Sequence, residues 1–285
     1  MDEVTEVLGI PVPPGLLDAW AGWLAPARQP FFLTAEEAER LGVGTVPRAE
    51  VSFPPAGRDT DTFALWFVRP EANRIAWLTE EDWLALPPAS RRALLRAQVR
   101  HGRGAVPPVR DFADLLPHLT GTRFVWWPSL IAPAVLARAV AQGQLNCRRA
   151  EVPDAVWTAA TSVLPRAREL AGTFPHASGP NCFGTVMGAA GVPGGEREWV
   201  QREPFEAFLA ERTRRGGHDD HLGTILVWRD HSGQVQHTAI TLGGGWALHK
   251  PSQSWMTPRV VRPTRDLIRW CRAPGWRLHR SRLRG

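Results

Sequence analysis

A cysteine and two histidines, Cys182, His237 and His249, stand in an order and at spacings that suit nucleophilic catalysis. A thiol attacks a carbonyl once a base has taken its proton, and the base in turn needs a polar neighbour to fix its tautomer and orientation. Fifty-five positions separate Cys182 from His237, and twelve separate His237 from His249.

The cysteine lies in SGPNCFGTVMGAAGVPG, residues 178–194. Phe183, Val186, Met187 and Ala190 fall at i, i+3, i+4 and i+7, the apolar stripe of a short helix. Ser178 or Asn181 suits its N-cap, Gly191 the left-handed position after its end, and Pro193 stops continuation. Cys182 is then in the first turn, where free N–H groups and the helix dipole lower a thiol pKa. Gly184 and Gly188 each weaken the helix by about 1 kcal/mol relative to Ala, so close packing, most simply against a sheet, is expected. The competing account is a buried filler, since free cysteine is among the most buried residue types.

The histidines lie in HLGTILVWRDHSGQVQHTAITLGGGWALHKPSQSW, which has the pattern of three strands. Gly243, Gly244 and Gly245 signal a hairpin with a three-residue loop. Such a loop pairs Leu242 with Trp246, Ile240 with Leu248 and Ala239 with His249. One face then carries Ile240, Leu242, Trp246 and Leu248, and the other His237, Ala239, Thr241, Ala247 and His249. The histidines become diagonal neighbours, with Ala239 and Ala247 as the shallow floor of an expected cleft for small or extended peptides. A two-residue loop would instead put the histidines on opposite faces.

In these residues the chain resembles the NlpC-type cysteine peptidases, a papain-like family that cuts peptide bonds in bacterial cell-wall peptides. The segments that carry the resemblance are NCFGTVMGAAG, LGTILVW, HTAITLGGG and ALHKP, in the family's order and spacing and over about 110 residues. The resemblance implies an α+β papain-like domain with an antiparallel sheet packed on the cysteine helix. It also implies Cys182 as nucleophile, His237 as general base and His249 as the orienting residue, with a peptide or amide as substrate. Asn181, Phe183 and Gly184 stand where the family has Asp, Ser and Gly. The family's upstream tyrosine, which helps stabilise the oxyanion, has no counterpart in a chain without tyrosine, and Thr173 and His176 are the candidates in its place.

The elements that must position these groups occupy residues 121–285, with a helical lead-in of PSLIAPAVLARAVAQG and PDAVWTAATSVLPRARELAG after a strand at TRFVWW. Residues 1–120 are expected to form a separate α/β region. Its signals are a helix at Leu16–Leu24, a capping box of Thr34 and Glu37, and strands AEVSF, TFALWFV and RIAWL. Helices capped by Thr79 and Ser90 follow, and the Pro/Gly-rich HGRGAVPPVR is the connector.

With 285 residues and 44% hydrophobic content the chain suits two globular domains. There is no run of eighteen apolar residues, and the acidic start MDEVTEV lacks the basic region of a secretory signal, so a cytoplasmic protein without a transmembrane segment is expected. Cys147, Cys182 and Cys271 form no CxxC pair, which suits reduced thiols. HDDH, residues 218–221, offers metal-ligand types, but adjacent residues point apart and a site would need a further ligand such as His231; a polar loop is expected, with no metal and no cofactor.

The net charge is +6, and Lys250 is the only lysine. Arginines 259, 262, 265, 269, 272, 277, 280, 282 and 284 crowd the C-terminal segment. That segment is expected to be a solvated surface or frayed tail, the alternative being weak contact with nucleic acid or another anionic polymer. A non-hydrolytic binding protein using those arginines, and a cysteine acyltransferase, are the rival function classes.

Overall fold

A computed structural model of the chain describes residues 5–284. The chain divides into two compact units, Val12–Gln142 and a second running from Gly143 onward that also includes Glu6–Pro11. The division falls beyond residue 120 because Val125 and Trp127 belong to the first unit's core, beside Phe31, Leu78, Trp83 and Leu94. Together the elements are a mixture of helix and sheet of the α+β kind. Among the described residues no helix is long and apolar enough to cross a membrane.

In the first unit Arg28–Leu33 pairs antiparallel with Arg74–Thr79, and Val46–Pro47 pairs with the other edge of that strand. Thr34 with Glu37 and Thr79 with Asp82 form reciprocal capping boxes. The helix expected to start at Ser90 starts instead at Pro88, because proline is suited to the first helical position. AEVSF and TFALWFV are not strands: Arg48–Glu50 and Leu65–Phe67 are single 3-10 turns and Arg58–Thr62 is helical. TRFVWW likewise forms only an isolated bridge, Pro108 with Arg123. Their aromatic content serves burial rather than ladder pairing: Phe63 packs with Phe32 and Ile75, and Phe124 and Trp126 meet Phe112 edge to face.

In the second unit the expected lead-in helix is broken at Pro165 into Asp154–Thr161 and Ala167–Leu170. The cysteine helix α1 (Cys182–Ala189) and α2 (Arg202–Arg212) follow. Six strands make one antiparallel sheet: β1 (Thr213–Arg215), β2 (Thr224–Arg229), β3 (Val235–Gly243), β4 (Trp246–His249), β5 (Val260–Pro263) and β6 (Arg277–Leu283). Their spatial order is β5-β4-β3-β2-β6-β1. A last helix, α3 (Thr264–Trp270), connects β5 to β6.

The arginine-rich C-terminal segment ends in a strand of exposed and half-buried residues, which fits the solvated surface expected and not a frayed tail. β6 lies between β2 and β1, pairing Arg280 with Leu226 and Arg282 with Arg214. Arg280 forms a two-pronged ion pair with Asp219, and Arg284 donates to the Thr213 carbonyl at 2.9 Å.

The candidate active site

The β3–β4 hairpin turns on two residues, not three. Gly243 pairs with Trp246, leaving Gly244 and Gly245 as the loop, with φ of +58° and +80°. Two successive positive φ values match the two-residue turn that joins twisted strands, and only glycine adopts them without strain. By itself this loop would place the histidines on opposite faces. The register shifts between Thr241 and Gly243, however, and this bulge leaves Leu242 without the expected partner Trp246. Past the bulge, Thr241 pairs with Ala247 and Ile240 with Leu248. The extra residue cancels the missing loop residue, and the face shared by His237, Ala239, Ala247 and His249 is kept.

On that face Nε2 of His237 lies 3.2 Å from Nδ1 of His249, with the rings edge to face. The Trp228 ring flanks His237 and the Trp270 ring flanks His249, each at 5.5 Å between centroids. The face is not the open cleft expected. Leu267 of α3 and Cys271, just past its end, pack onto Leu226, Trp228, Ala239 and Ala247, and both alanines are fully buried. The small residues make room for a helix.

Cys182 opens α1, as expected. The Asn181 side chain accepts the Gly184 N–H at 3.0 Å and donates to the Val200 carbonyl at 2.7 Å, so the cap also fixes the helix against a distant segment. The backbone N–H groups of Thr238, the residue after His237, and of Phe183 lie near enough to the Cys182 thiol to favour its ionised form. Among the described residues that thiol forms no hydrogen bond to either imidazole. The close approach that Gly184 and Gly188 make is not to the sheet: Gly184 faces the Gly195 carbonyl, and a Cβ on Gly188 would lie 2.8 Å from Cβ of Glu196.

Burial decides the protonation states. It pushes the Cys182 thiol up to about 11, the backbone donors and Lys250 pulling the other way without prevailing. The expectation that the helix start would leave a lowered thiol pKa is corrected accordingly: removal of water costs the thiolate more than the donors return. Burial likewise depresses His237 to about 4 and His249 well below its ordinary value, the latter aided by the nearby His237, Arg262 and Lys250. Thiol and imidazoles are all neutral at pH 7.

Two residues join this site without having been singled out for it. The donor atoms of Cys271, His237 and His249 lie within 4.8 Å of one another, and Cys271, lifted to about 12 by burial and the Cys182 thiol, had no local sequence signal of a partner. Lys250 is fully buried, its ammonium donating to the Ser252 and Ser254 carbonyls and the Thr257 hydroxyl at 2.6–2.9 Å. The clamped loop reaches the cysteine segment, since Gly179 N–H donates to the Gln253 carbonyl at 2.9 Å. The signal here was available: one lysine in a chain of 34 basic residues.

Other candidates lie elsewhere. Cys147 is a buried structural residue whose sulfur accepts the Val261 N–H at 3.4 Å. Thr173 donates its hydroxyl to the Leu170 carbonyl and accepts from Arg259, which occupies it apart from any oxyanion role. His176 lines a cavity of about 490 Å³ together with Phe174, Pro180, Arg197 and Arg259. In HDDH, Asp219 is taken by Arg280, and the His218 ring lies tilted against that of His221 with 5.2 Å between centroids. Compared with models of protein families, with curated proteins and with solved structures, the chain matches none.

Proposed function

We propose that the second unit is a papain-like cysteine hydrolase that cleaves amide or peptide bonds, with Cys182 as nucleophile, His237 as general base and His249 as the residue that orients it. The observation that carries this reading is the His237 Nε2–His249 Nδ1 contact at 3.2 Å, which leaves Nδ1 of His237 for a thiol at a helix start whose surroundings include the backbone N–H of Thr238, the residue after His237. When His237 Nε2–H donates to His249 Nδ1, the remaining nitrogen, Nδ1 of His237, presents the lone pair that a base requires.

Neutral partners set the order of events. The Cys182 S–H loses its proton to His237 as sulfur bonds to the substrate carbonyl carbon. Negative charge then develops on the carbonyl oxygen near the start of α1, where the Cys182 N–H can receive it. Histidinium returns the proton to the leaving amine, and water, or a second amine in the acyl-transfer variant, breaks the thioester by the reverse sequence. Cys271 is the poorer nucleophile: it lies past the C-terminus of α3, where the helix dipole opposes a thiolate, and its thiol is held higher than that of Cys182.

The cavity beside Pro180, two residues before Cys182, is the substrate approach in this reading. The test is turnover of an amide library that includes cell-wall-type peptides. Cys182→Ala is expected to remove activity by a factor of about 10⁴ and His237→Ala by a similar factor, since members of such a unit are not additive. Undiminished turnover in Cys182→Ala would overturn the assignment.

A second contact, with anionic polymers, is favoured by Arg265, Arg269 and Arg272, which share one face of α3 and its extension and line a cavity of about 700 Å³ with Arg280. Binding to such a polymer should weaken steeply as salt rises; salt-independent binding, or none at low salt, rejects it.

A further inference from the structure

Two imidazoles and a thiol converge beside the proposed nucleophile. The donor atoms of His237, His249 and Cys271 all lie within 4.8 Å of one another, and all three residues are buried. They belong to three different elements, β3, β4 and the end of α3, so their convergence is a product of the tertiary fold and not of local sequence. The side chains packed around them on this face are apolar, Leu226, Trp228, Ala239, Ala247 and Leu267, while the charges of Lys250 and Arg262 lie near His249.

We propose that His237, His249 and Cys271 form a binding site for a thiophilic divalent cation of the zinc type, and that occupancy switches off the hydrolase proposed above. The nitrogen pair at 3.2 Å matches the N–N edge of a tetrahedral zinc site, about 3.4 Å for Zn–N bonds of about 2.0–2.1 Å. The thiolate edge closes by a small movement of Cys271, which caps α3 and is not locked within a strand. Binding exchanges the thiol proton for a metal–sulfur bond and releases that proton to solvent, while the imidazoles bind as neutral ligands. A fourth position remains for water.

The donor set also selects the ion. It holds two imidazoles and a thiol and no carboxylate. Hard cations such as Mg²⁺ and Ca²⁺, which need oxygen ligands and gain nothing from a thiolate, are excluded, whereas Zn²⁺, Co²⁺ and Cd²⁺ are matched by sulfur and imidazole.

The inhibitory role rests on the hydrolase reading, because an ion on His237 Nε2 breaks the bond to His249 that orients the base. The binding site itself does not depend on that reading.

The experiment is a Co²⁺ titration of the reduced full-length chain after chelator treatment and desalting. One equivalent is expected to bind, with visible bands of a tetrahedral site and a near-ultraviolet thiolate-to-cobalt charge-transfer band. Cys271→Ser should abolish that band and weaken binding about 100-fold, and Cys182→Ala should leave the band in place. A band that survives Cys271→Ser, or no binding to the wild type, overturns the proposal. X-ray absorption of the zinc-loaded wild type needs no variant: a shell with one or more sulfurs and imidazole nitrogens supports the site, and a shell without sulfur rejects it. Where an amide substrate is turned over, zinc should stop turnover and a chelator restore it; turnover unchanged at full occupancy rejects the switch alone, leaving both the site and the hydrolase reading intact.

Discussion

Nε2 of His237 and Nδ1 of His249 are held 3.2 Å apart because a one-residue bulge at Leu242 offsets a turn one residue shorter than the glycine run suggests. Deleting one of the three glycines, Gly243, Gly244 or Gly245, should therefore remove the bulge and join Leu242 to Trp246 across a two-residue loop, with both histidines still on one face. The expected readout is a downfield imidazole N–H resonance of the pair that persists, with far-ultraviolet circular dichroism showing that the sheet survives. Loss of that resonance in an intact sheet contradicts the register.

Alkylation of Cys182 is expected to be slow in the metal-free protein. A thiol near 11 has about 100-fold less thiolate at neutral pH than one near 9, and the residue is only 7% exposed. The rate measured by mass spectrometry should climb about tenfold per pH unit up to that value. Labelling of Cys182 faster than free cysteine at pH 7.5 would show that the thiol is ionised at rest.

The buried histidines make stability fall in mild acid. In the unfolded chain His237 takes up a proton below pH 6.5, whereas in the folded chain it does so only near 4. The unfolded state thus binds more protons within that window, and stability present above pH 6.5 is lost as pH falls toward 4, by about 3 kcal/mol for this residue alone. Urea melts of the metal-free protein between pH 7 and 4.5 should show the loss, and His237→Gln should flatten it; a slope identical in the variant rules out His237 as its source.

Gly184→Ala is expected to destabilise the second unit by about 2–4 kcal/mol, since the new methyl meets the backbone carbonyl of Gly195 and no flexible side chain can yield. Gly22→Ala is the control. It lies in the helix Pro14–Leu24 with open space around it and should be neutral or stabilising by up to about 1 kcal/mol. Chemical denaturation that ranks the two equally would deny the close approach of α1 to residues 195–198.

Lys250 should resist amine reagents in the folded chain and become reactive in denaturant. Lys250→Arg is expected to cost about 2–4 kcal/mol, because a planar guanidinium cannot replace a compact ammonium converging on three oxygens. Native labelling of Lys250 would show the loop to be open.

Much of the site's local framework was legible in order and spacing alone. The cap at Asn181, the helix that opens at Cys182, the apolar strand TILVW and the paired strands of both histidines follow from periodicity and from glycine and proline placement, which act over a few residues. The strands misassigned at AEVSF, TFALWFV and TRFVWW show the limit of composition: aromatic and β-branched residues are wanted wherever water must be excluded, in a 3-10 turn as much as in a ladder.

What the tertiary structure alone decided is what covers the histidines and how far each group is from water. The segment from Thr264 to Leu283 has the composition of a solvated tail, yet it supplies α3, Cys271 and the strand β6 between β2 and β1. No local pattern encodes that path, because a strand's neighbours are set by which edge remains unpaired after the rest of the sheet has formed. Sequence determined that a thiol would stand at a helix start and that two imidazoles would share a hairpin. Whether that thiol is ionised, and whether a second thiol joins the imidazoles, depended on burial and on contacts between residues far apart in the chain, and burial outweighed the helix start.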